Sequence, residues 1–269
     1  MNNVKPGPLS QPPRVSPALL KVFNAYNRRY LRRHFHSLRI LQAGLPQTPA
    51  QPIVVYLNHS SWWDPLVCLL LSLYFFTNRV SFGPIDAAML ERYRFFRRLG
   101  FFGVDQCNGH RAAAFLRTSR AILASSRNMI WLTPQGNFVD VRTRPLDLQP
   151  GLGALATRTR GVAFVPLAIE YSFWTESRPE ILVSFGEPLV PSIEIPRSAS
   201  EWTQLFSEKL EATENELAIR SCQRRSDEWI TLNSGRSGVN AAYDAWRWLR
   251  AKVRGQNFTP EHQPQSLSK

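Results

Sequence analysis

Short apolar runs alternate with longer helix-like segments through the middle of the chain. β-Branched and aromatic residues dominate the short runs, and such side chains suit a pleated, half-buried strand. The predicted strands are 53–57, 80–82, 101–104, 129–132, 162–171 and 181–185, and the predicted helices are 65–76, 87–99, 111–125, 151–158, 200–219 and 241–253. This alternation predicts an α/β fold, a mixed sheet flanked by helices.

A helical pattern rich in aromatic and basic residues precedes the predicted sheet, between Ser16 and Leu41. Its apolar positions recur at spacings of three and four: Leu19, Phe23, Tyr26 and Tyr30. Five arginines lie largely off that face: Arg28, Arg29, Arg32, Arg33 and Arg39. Such an amphipathic helix suits an anionic membrane surface, or it packs its apolar stripe on its own domain. Both alternatives stay open.

These patterns divide the chain into five segments. Residues 1–16 are predicted to be a disordered leader, 17–45 an amphipathic membrane-interface helix and 50–220 the α/β domain. Residues 221–253 are predicted to be a C-terminal helical extension, and 254–269 a disordered tail.

Composition narrows the class of protein. The chain has 269 residues, 43% of them hydrophobic, which is enough for one large domain. Its longest apolar run, 66–76, falls short of the roughly 20 residues that a membrane-spanning helix needs. Three widely spaced cysteines and a polar, Pro-rich start predict a protein without a disulfide framework or signal peptide.

The net charge of +13 permits an acidic partner. A second basic region contains Arg92, Arg94, Arg97 and Arg98, and it suits a membrane surface or an acidic acyl carrier protein. The sequence contains no helix-turn-helix, zinc or aromatic–glycine signature that we can place, so we expect no nucleic-acid partner.

The first predicted strand is followed by residues that can perform acid–base chemistry. His59 lies at the strand terminus, and Asp64 precedes Pro65 at the expected start of a helix. A carboxylate in that place can orient a histidine that acts as a general base, or the two can be a helix cap and a hydrogen-bonded structural histidine. Trp62 and Trp63, inside the same segment, either line an acyl channel or pack in the core.

Four blocks in order resemble the glycerolipid acyltransferases related to 1-acylglycerol-3-phosphate O-acyltransferase. The first, N-H-x-x-x-x-D, runs from Asn58 and His59 to Asp64. The others are a glycine-led hydrophobic stretch, 100–106, a P-E-G-T block that is Pro134, Gln135, Gly136 and Asn137 here, and a V-P strand at 165–167. The resemblance covers about residues 50–190.

The resemblance implies transfer of a fatty acyl group from acyl-CoA or acyl carrier protein to a lipid hydroxyl. By analogy, His59 is the general base and Asp64 its orienting partner, and neither a metal nor another cofactor takes part. Asn58, Gln135, Gly136 and Asn137 are the expected substrate-binding residues. The chain is then expected to be a peripheral protein on anionic lipids at the cytoplasmic face of a membrane.

Some positions depart from the family pattern. Gln135 replaces a glutamate, Gln106 an arginine, and Asn137-Phe138 a Thr-Arg pair. Arg142 and Arg144, just downstream, are candidates to supply the missing cations at the substrate. We therefore expect a lysophospholipid with a larger head group, or a related lipid, rather than a simple glycerol phosphate. The alternative is a catalytically impaired lipid- or acyl-carrier-binding protein on the same fold.

Overall fold

The computed structural model describes residues 11–104, 111–191 and 196–235, together with Arg250 and Lys252. Its strands are β1 (Ser37–Leu41), β2 (Ile53–Leu57), β3 (Val80–Asp86), β4 (Phe101–Val104), β5 (Asn128–Leu132), β6 (Ala163–Ser172), β7 (Glu180–Phe185) and β8 (Trp229–Ser234). Its α-helices are α1 (Pro17–His34), α2 (Asp64–Phe75), α3 (Ala87–Arg92), α4 (Arg111–Leu123), α5 (Gly151–Ala156) and α6 (Ala199–Gln223). The predicted α/β class is confirmed.

The strands form one mixed sheet in the order β4-β3-β5-β2-β6-β7-β1-β8. The five strands from β4 to β6 in this order are parallel to one another. β7 is antiparallel to β6 and parallel to β1, and β8 is antiparallel to β1. The carboxyl ends of β5, β2 and β6 therefore lie side by side at one edge of the sheet.

Helices cover both faces of the sheet, as the alternation along β2 shows. Val55 and Leu57 belong to a core shared with Leu70 of α2, whereas Tyr56 packs in a second core with Phe206 of α6. Full burial of such a side chain stabilises the fold by roughly 1.5–3 kcal/mol. The two cores clamp β2 from both sides, which fixes the position of the residues that follow it.

Helix α1 packs on the domain through an unexpected face. Its buried residues are Asn24, Asn27 and Leu31, and the Asn27 amide donates a 2.8 Å hydrogen bond to the carbonyl of Leu66. The predicted apolar stripe is not the buried face, since the Tyr26 side chain is 57% exposed.

The predicted helix continued to Leu41, but the structure ends α1 at His34 and places residues 37–41 in the sheet. β1 lies between β7 and β8 and pairs with both, and that pairing outweighs the helical pattern. Glu180 of β7 accepts hydrogen bonds from the Ser37 hydroxyl and, at 3.3 Å, from the Arg39 guanidinium, which ties the two strands together.

The predicted helical extension over 221–253 is wrong for residues 229–234. α6 continues to Gln223, and residues 229–234 form β8 against β1, with Trp229 and Asn233 buried. The sheet thus extends on both sides of the predicted domain at 50–220. The tail, Gln106, most of the leader and the helix predicted at 241–253, apart from Arg250 and Lys252, lie outside the described residues. In the described part of the chain, no helix has the length and apolar character that crossing a membrane requires.

Candidate active site

The chemistry-bearing residues gather where parallel strands end. β2 is followed by Asn58 and His59, and β5 by the segment that contains Gln135. Because β2 and β5 are parallel neighbours, the segments that leave their carboxyl ends meet. β6 flanks β2 on the other side and extends past Leu57, which pairs with Leu167.

His59 and Asp64 form a direct pair. The Nδ1 atom of His59 lies 2.8 Å from Oδ2 of Asp64, which also accepts a 3.1 Å hydrogen bond from the backbone N–H of Ser61. Asp64 is fully buried and is the first residue of α2. Its carboxylate turns back toward the loop and contacts His59, and it is not the helix cap that the position before Pro65 suggested.

This contact sets the role of each imidazole nitrogen. A carboxylate beside Nδ1 favours the tautomer with the proton on Nδ1, which leaves Nε2 as a proton acceptor. The His59 side chain is partly exposed, and none of the described residues forms a hydrogen bond with its Nε2. The pair can therefore take a proton from a hydroxyl bound in front of it.

Tyr171 completes the surroundings of Asp64. Its hydroxyl donates a 2.6 Å hydrogen bond to Oδ1, the carboxylate oxygen that His59 does not contact. Burial, followed by the negative charge of Asp64, raises the pKa of Tyr171 well above its usual value. The sequence analysis missed Tyr171. The available signal was the alternation Leu167, Ile169, Tyr171, which continues on the face of β6 that packs against α2.

Asn58 holds the end of β2 to β6. Its amide nitrogen donates to the carbonyl of Ile169 at 2.9 Å, and its amide oxygen accepts from the N–H of Ile169 at 2.8 Å. The side chain is buried, so these two bonds engage it within the protein. The contacts make Asn58 an anchor of the site, while its predicted role in substrate binding stays a prediction.

The third block contacts the first through the backbone of His59. Oε1 of Gln135 accepts the N–H of His59 at 2.7 Å, and the carbonyl of His59 accepts the N–H of Val139 at 2.8 Å. Gly136 has a φ of 75°, a left-handed conformation that favours glycine. Gly136 and Asn137 are exposed beside this contact, where a substrate can reach them.

Phe138 is a second residue that the sequence analysis did not assign to the site. Its ring centroid lies 4.4 Å from that of His59, although 62% of the residue is exposed. An apolar ring thus borders the imidazole at the position where the family pattern has an arginine.

The two arginines proposed as replacement cations have partners within the protein. Arg142 is exposed and forms an ion pair at 2.8 Å with Asp140, which lowers the pKa of that carboxyl. Arg144 lies 2.8 Å from the buried Glu214 and donates to Asn215 of α6 at 2.8 Å. Within the described residues, neither side chain forms a hydrogen bond or ion pair with His59, and their role in substrate binding stays a prediction.

The two tryptophans of the first block differ in environment. Trp63 packs edge-on against Phe35, as core packing predicts, whereas Trp62 is 53% exposed. Trp62 belongs to a line of neighbouring rings, each within 6.5 Å of the next, which we call the aromatic ridge: Phe95, Phe23, Tyr26, Tyr30 and Trp62.

The second block lies apart from this group. β4, which contains residues 101–104 of that block, is separated from β2 by β3 and β5. Gly100, with a φ of 104°, allows the turn into β4, where a Cβ would collide with the carbonyl of Ser81.

A family model described as Acyltransferase matches residues 32–170, just over half of the chain. The match includes the His59–Asp64 pair, Gln135 and most of β6. No curated protein matches the chain.

Proposed function

Since the chain belongs to the acyltransferase family and is therefore an enzyme that transfers acyl groups, we propose that its donor is a fatty acyl thioester and its acceptor a lipid hydroxyl. The observation that carries the proposal is the His59–Asp64 pair at the sheet edge, inside the matched residues. The donor is acyl-CoA or acyl-acyl carrier protein, and both present the same thioester.

In the proposed mechanism, Nε2 of His59 accepts the proton of the acceptor hydroxyl while the oxygen attacks the thioester carbonyl carbon. A C–O bond forms, and the carbonyl electron pair moves to its oxygen. When this intermediate collapses, the C–S bond breaks and the thiolate takes the proton from the imidazolium. Asp64 stabilises the imidazolium between these two transfers, and His59 ends neutral as it began.

The acceptor is proposed to be a lysophospholipid or related lipid without a free phosphate monoester beside the reacting hydroxyl. Phe138 gives the mouth of the site an apolar ring, and Arg142 and Arg144 are engaged by Asp140 and Glu214. A phosphate monoester is best bound by cations that can form charge-assisted hydrogen bonds. The observed surroundings favour a less charged group next to His59.

The enzyme is also proposed to work as a peripheral protein on the cytoplasmic face of an anionic membrane. Tyr26, Trp62 and Phe95 of the aromatic ridge are exposed. Exposed arginines accompany the ridge on α1 and near Phe95: Arg28, Arg29, Arg32, Arg33, Arg92, Arg94, Arg97 and Arg98. Aromatic rings and arginines together suit the interface of an anionic bilayer. Trp62 is three residues from His59, so a membrane bound at the ridge would present lipid hydroxyls close to the base.

The test is acyl transfer by the purified full-length protein on anionic vesicles. Labelled acyl-CoA and acyl-acyl carrier protein are offered separately, each with a mixed pool of lysolipids. We expect label in one lipid class, with a loss of about 100-fold or more in His59→Ala. The melting temperature of His59→Ala is compared with that of the wild type to check folding. Absence of transfer from both donors to all acceptors would overturn the proposal.

A further inference from the structure

The buried carboxylate of Asp64 is held at both oxygens. Oδ2 contacts Nδ1 of His59 at 2.8 Å and the N–H of Ser61 at 3.1 Å, while Oδ1 accepts the Tyr171 hydroxyl at 2.6 Å. Tyr171 belongs to β6, a different element from the loop that holds His59. The second oxygen is therefore fixed from across the sheet edge.

We infer that Tyr171 is a positioning residue for acyl transfer, whose hydroxyl binds Oδ1 of Asp64 and thereby limits the negative charge that Oδ2 presents to His59. The inference rests on the proposed function, since it assigns a role in the same site. Without this bond, Oδ1 would be a buried anionic oxygen without that donor, while the N–H of Ser61 would still hold Oδ2 beside His59.

The ionisable groups that face Asp64 leave Tyr171 as a hydrogen-bond donor to its carboxylate. They come from three elements: His59 from the loop after β2, Cys68 from α2 and Tyr171 from β6. Burial, followed by the charge of Asp64, raises the pKa of the Cys68 thiol as well as that of Tyr171. Both groups therefore keep their protons, and of these two only Tyr171 donates a hydrogen bond to Asp64.

The direction of the effect on pH dependence follows from this hydrogen bond. The Tyr171 hydroxyl draws electron density from the carboxylate, so its removal concentrates negative charge near His59. A more basic carboxylate binds the imidazolium more strongly and raises the pKa of His59. Because His59 must be neutral to act as a base, the acidic limb of the kcat/KM profile moves to higher pH.

The test compares Tyr171→Phe with Tyr56→Phe in the full-length protein. Tyr56 is a matched control because it is also buried, and its hydroxyl forms no hydrogen bond with any described residue. For Tyr171→Phe we expect an acidic limb about one pH unit higher and, on that limb, kcat/KM roughly tenfold lower. For Tyr56→Phe we expect the profile of the wild type.

A second readout does not depend on activity. Histidines labelled with ¹³C at Cε1 give at most five signals, and His59→Ala identifies that of His59. Its titration midpoint should move upward in Tyr171→Phe and stay unchanged in Tyr56→Phe. An unchanged midpoint in folded Tyr171→Phe overturns the inference, whereas an unreactive wild-type enzyme with a shifted midpoint overturns the proposed function alone.

A third measurement retains a phenol at position 171 in case Tyr171→Phe does not fold. Site-specific incorporation of 3-fluorotyrosine at position 171 makes this phenol more acidic and a stronger donor. The His59 midpoint should then move to lower pH, and a midpoint that does not move contradicts the inference.

Discussion

The side-chain oxygen of Gln135 accepts the backbone N–H of His59 at 2.7 Å. This bond joins the segment after β5 to the segment after β2 and fixes the backbone from which the imidazole projects. A glutamate at this position, as in the family pattern, offers an oxygen with the same reach. The departure from the pattern thus preserves the hydrogen bond that orients His59.

We expect Gln135→Glu to keep kcat/KM within about threefold of the wild type, because a carboxylate also accepts the His59 N–H. Gln135→Leu leaves that partly buried donor without its acceptor. It should lose about 1–3 kcal/mol of unfolding free energy as well as activity. Urea unfolding and initial rates check both variants. A Gln135→Leu enzyme as stable and active as the wild type would contradict this role.

Asp64→Asn should reduce kcat/KM by about 100-fold or more, because an amide cannot stabilise the imidazolium as a carboxylate does. The effects of Asp64→Asn and His59→Ala should not add, since both residues act in one proton transfer. Acyl-transfer rates of the two single variants and the double variant test this. The exposed Asp227→Asn is the control and should retain full activity.

The sequence predicts the elements whose local pattern agrees with their packing. Residues 101–104 form β4 as predicted, and the His59–Asp64 pair lies where the end of a strand and the start of a helix place it. Residues 37–41 were assigned to a helix because their strand character depends on pairing with β7 and β8, which are distant in sequence. Tyr171 and Phe138 were missed for the same reason, since only the folded sheet brings them to Asp64 and His59.

Phe138→Arg should shift acceptor preference toward lysophosphatidic acid. A guanidinium beside His59 can form charge-assisted bonds to a phosphate monoester, whereas the phenyl ring cannot. We expect the ratio of kcat/KM for lysophosphatidic acid to that for lysophosphatidylcholine to rise about tenfold. Phe138→Leu and Ile219→Arg, which adds the same charge on α6, should leave the ratio unchanged. An unchanged ratio in Phe138→Arg would refute the role assigned to this ring.

Glu214 should make stability fall as pH rises. Burial raises its pKa from 4.5 to about 7, although the nearby Arg144 opposes the shift. Between pH 4.5 and about 7, the Glu214 carboxyl holds a proton in the folded protein and releases it in the unfolded chain. The unfolding free energy therefore decreases as the pH rises to about 7. Above that pH, the contribution of Glu214 to the unfolding free energy is constant. The loss attributable to Glu214 is at most about 3 kcal/mol.

Urea unfolding of the wild type and Glu214→Gln from pH 4.5 to 8 measures this contribution. The unfolding free energy of the wild type minus that of Glu214→Gln should decrease as the pH rises to about 7. Glu216→Gln, at an exposed position two residues away, should show a pH-independent difference. A pH-independent difference for Glu214→Gln too would refute the assignment.

The aromatic ridge should determine binding to vesicles through burial of its exposed rings. The double variant Tyr26→Ser/Phe95→Ser removes two rings that are not in contact with His59, and it should bind anionic vesicles about ten- to 100-fold more weakly. Co-sedimentation measures the partition coefficient. Ile219→Ser is the control, because Ile219 is exposed on α6, which covers the opposite face of the sheet from α1.

If membrane binding serves to bring lipid to His59, the double variant should lose activity on vesicles and keep it on a water-soluble, short-chain acceptor. An equal loss of activity on both acceptors would mean that the double variant disturbs the catalytic site and not membrane binding.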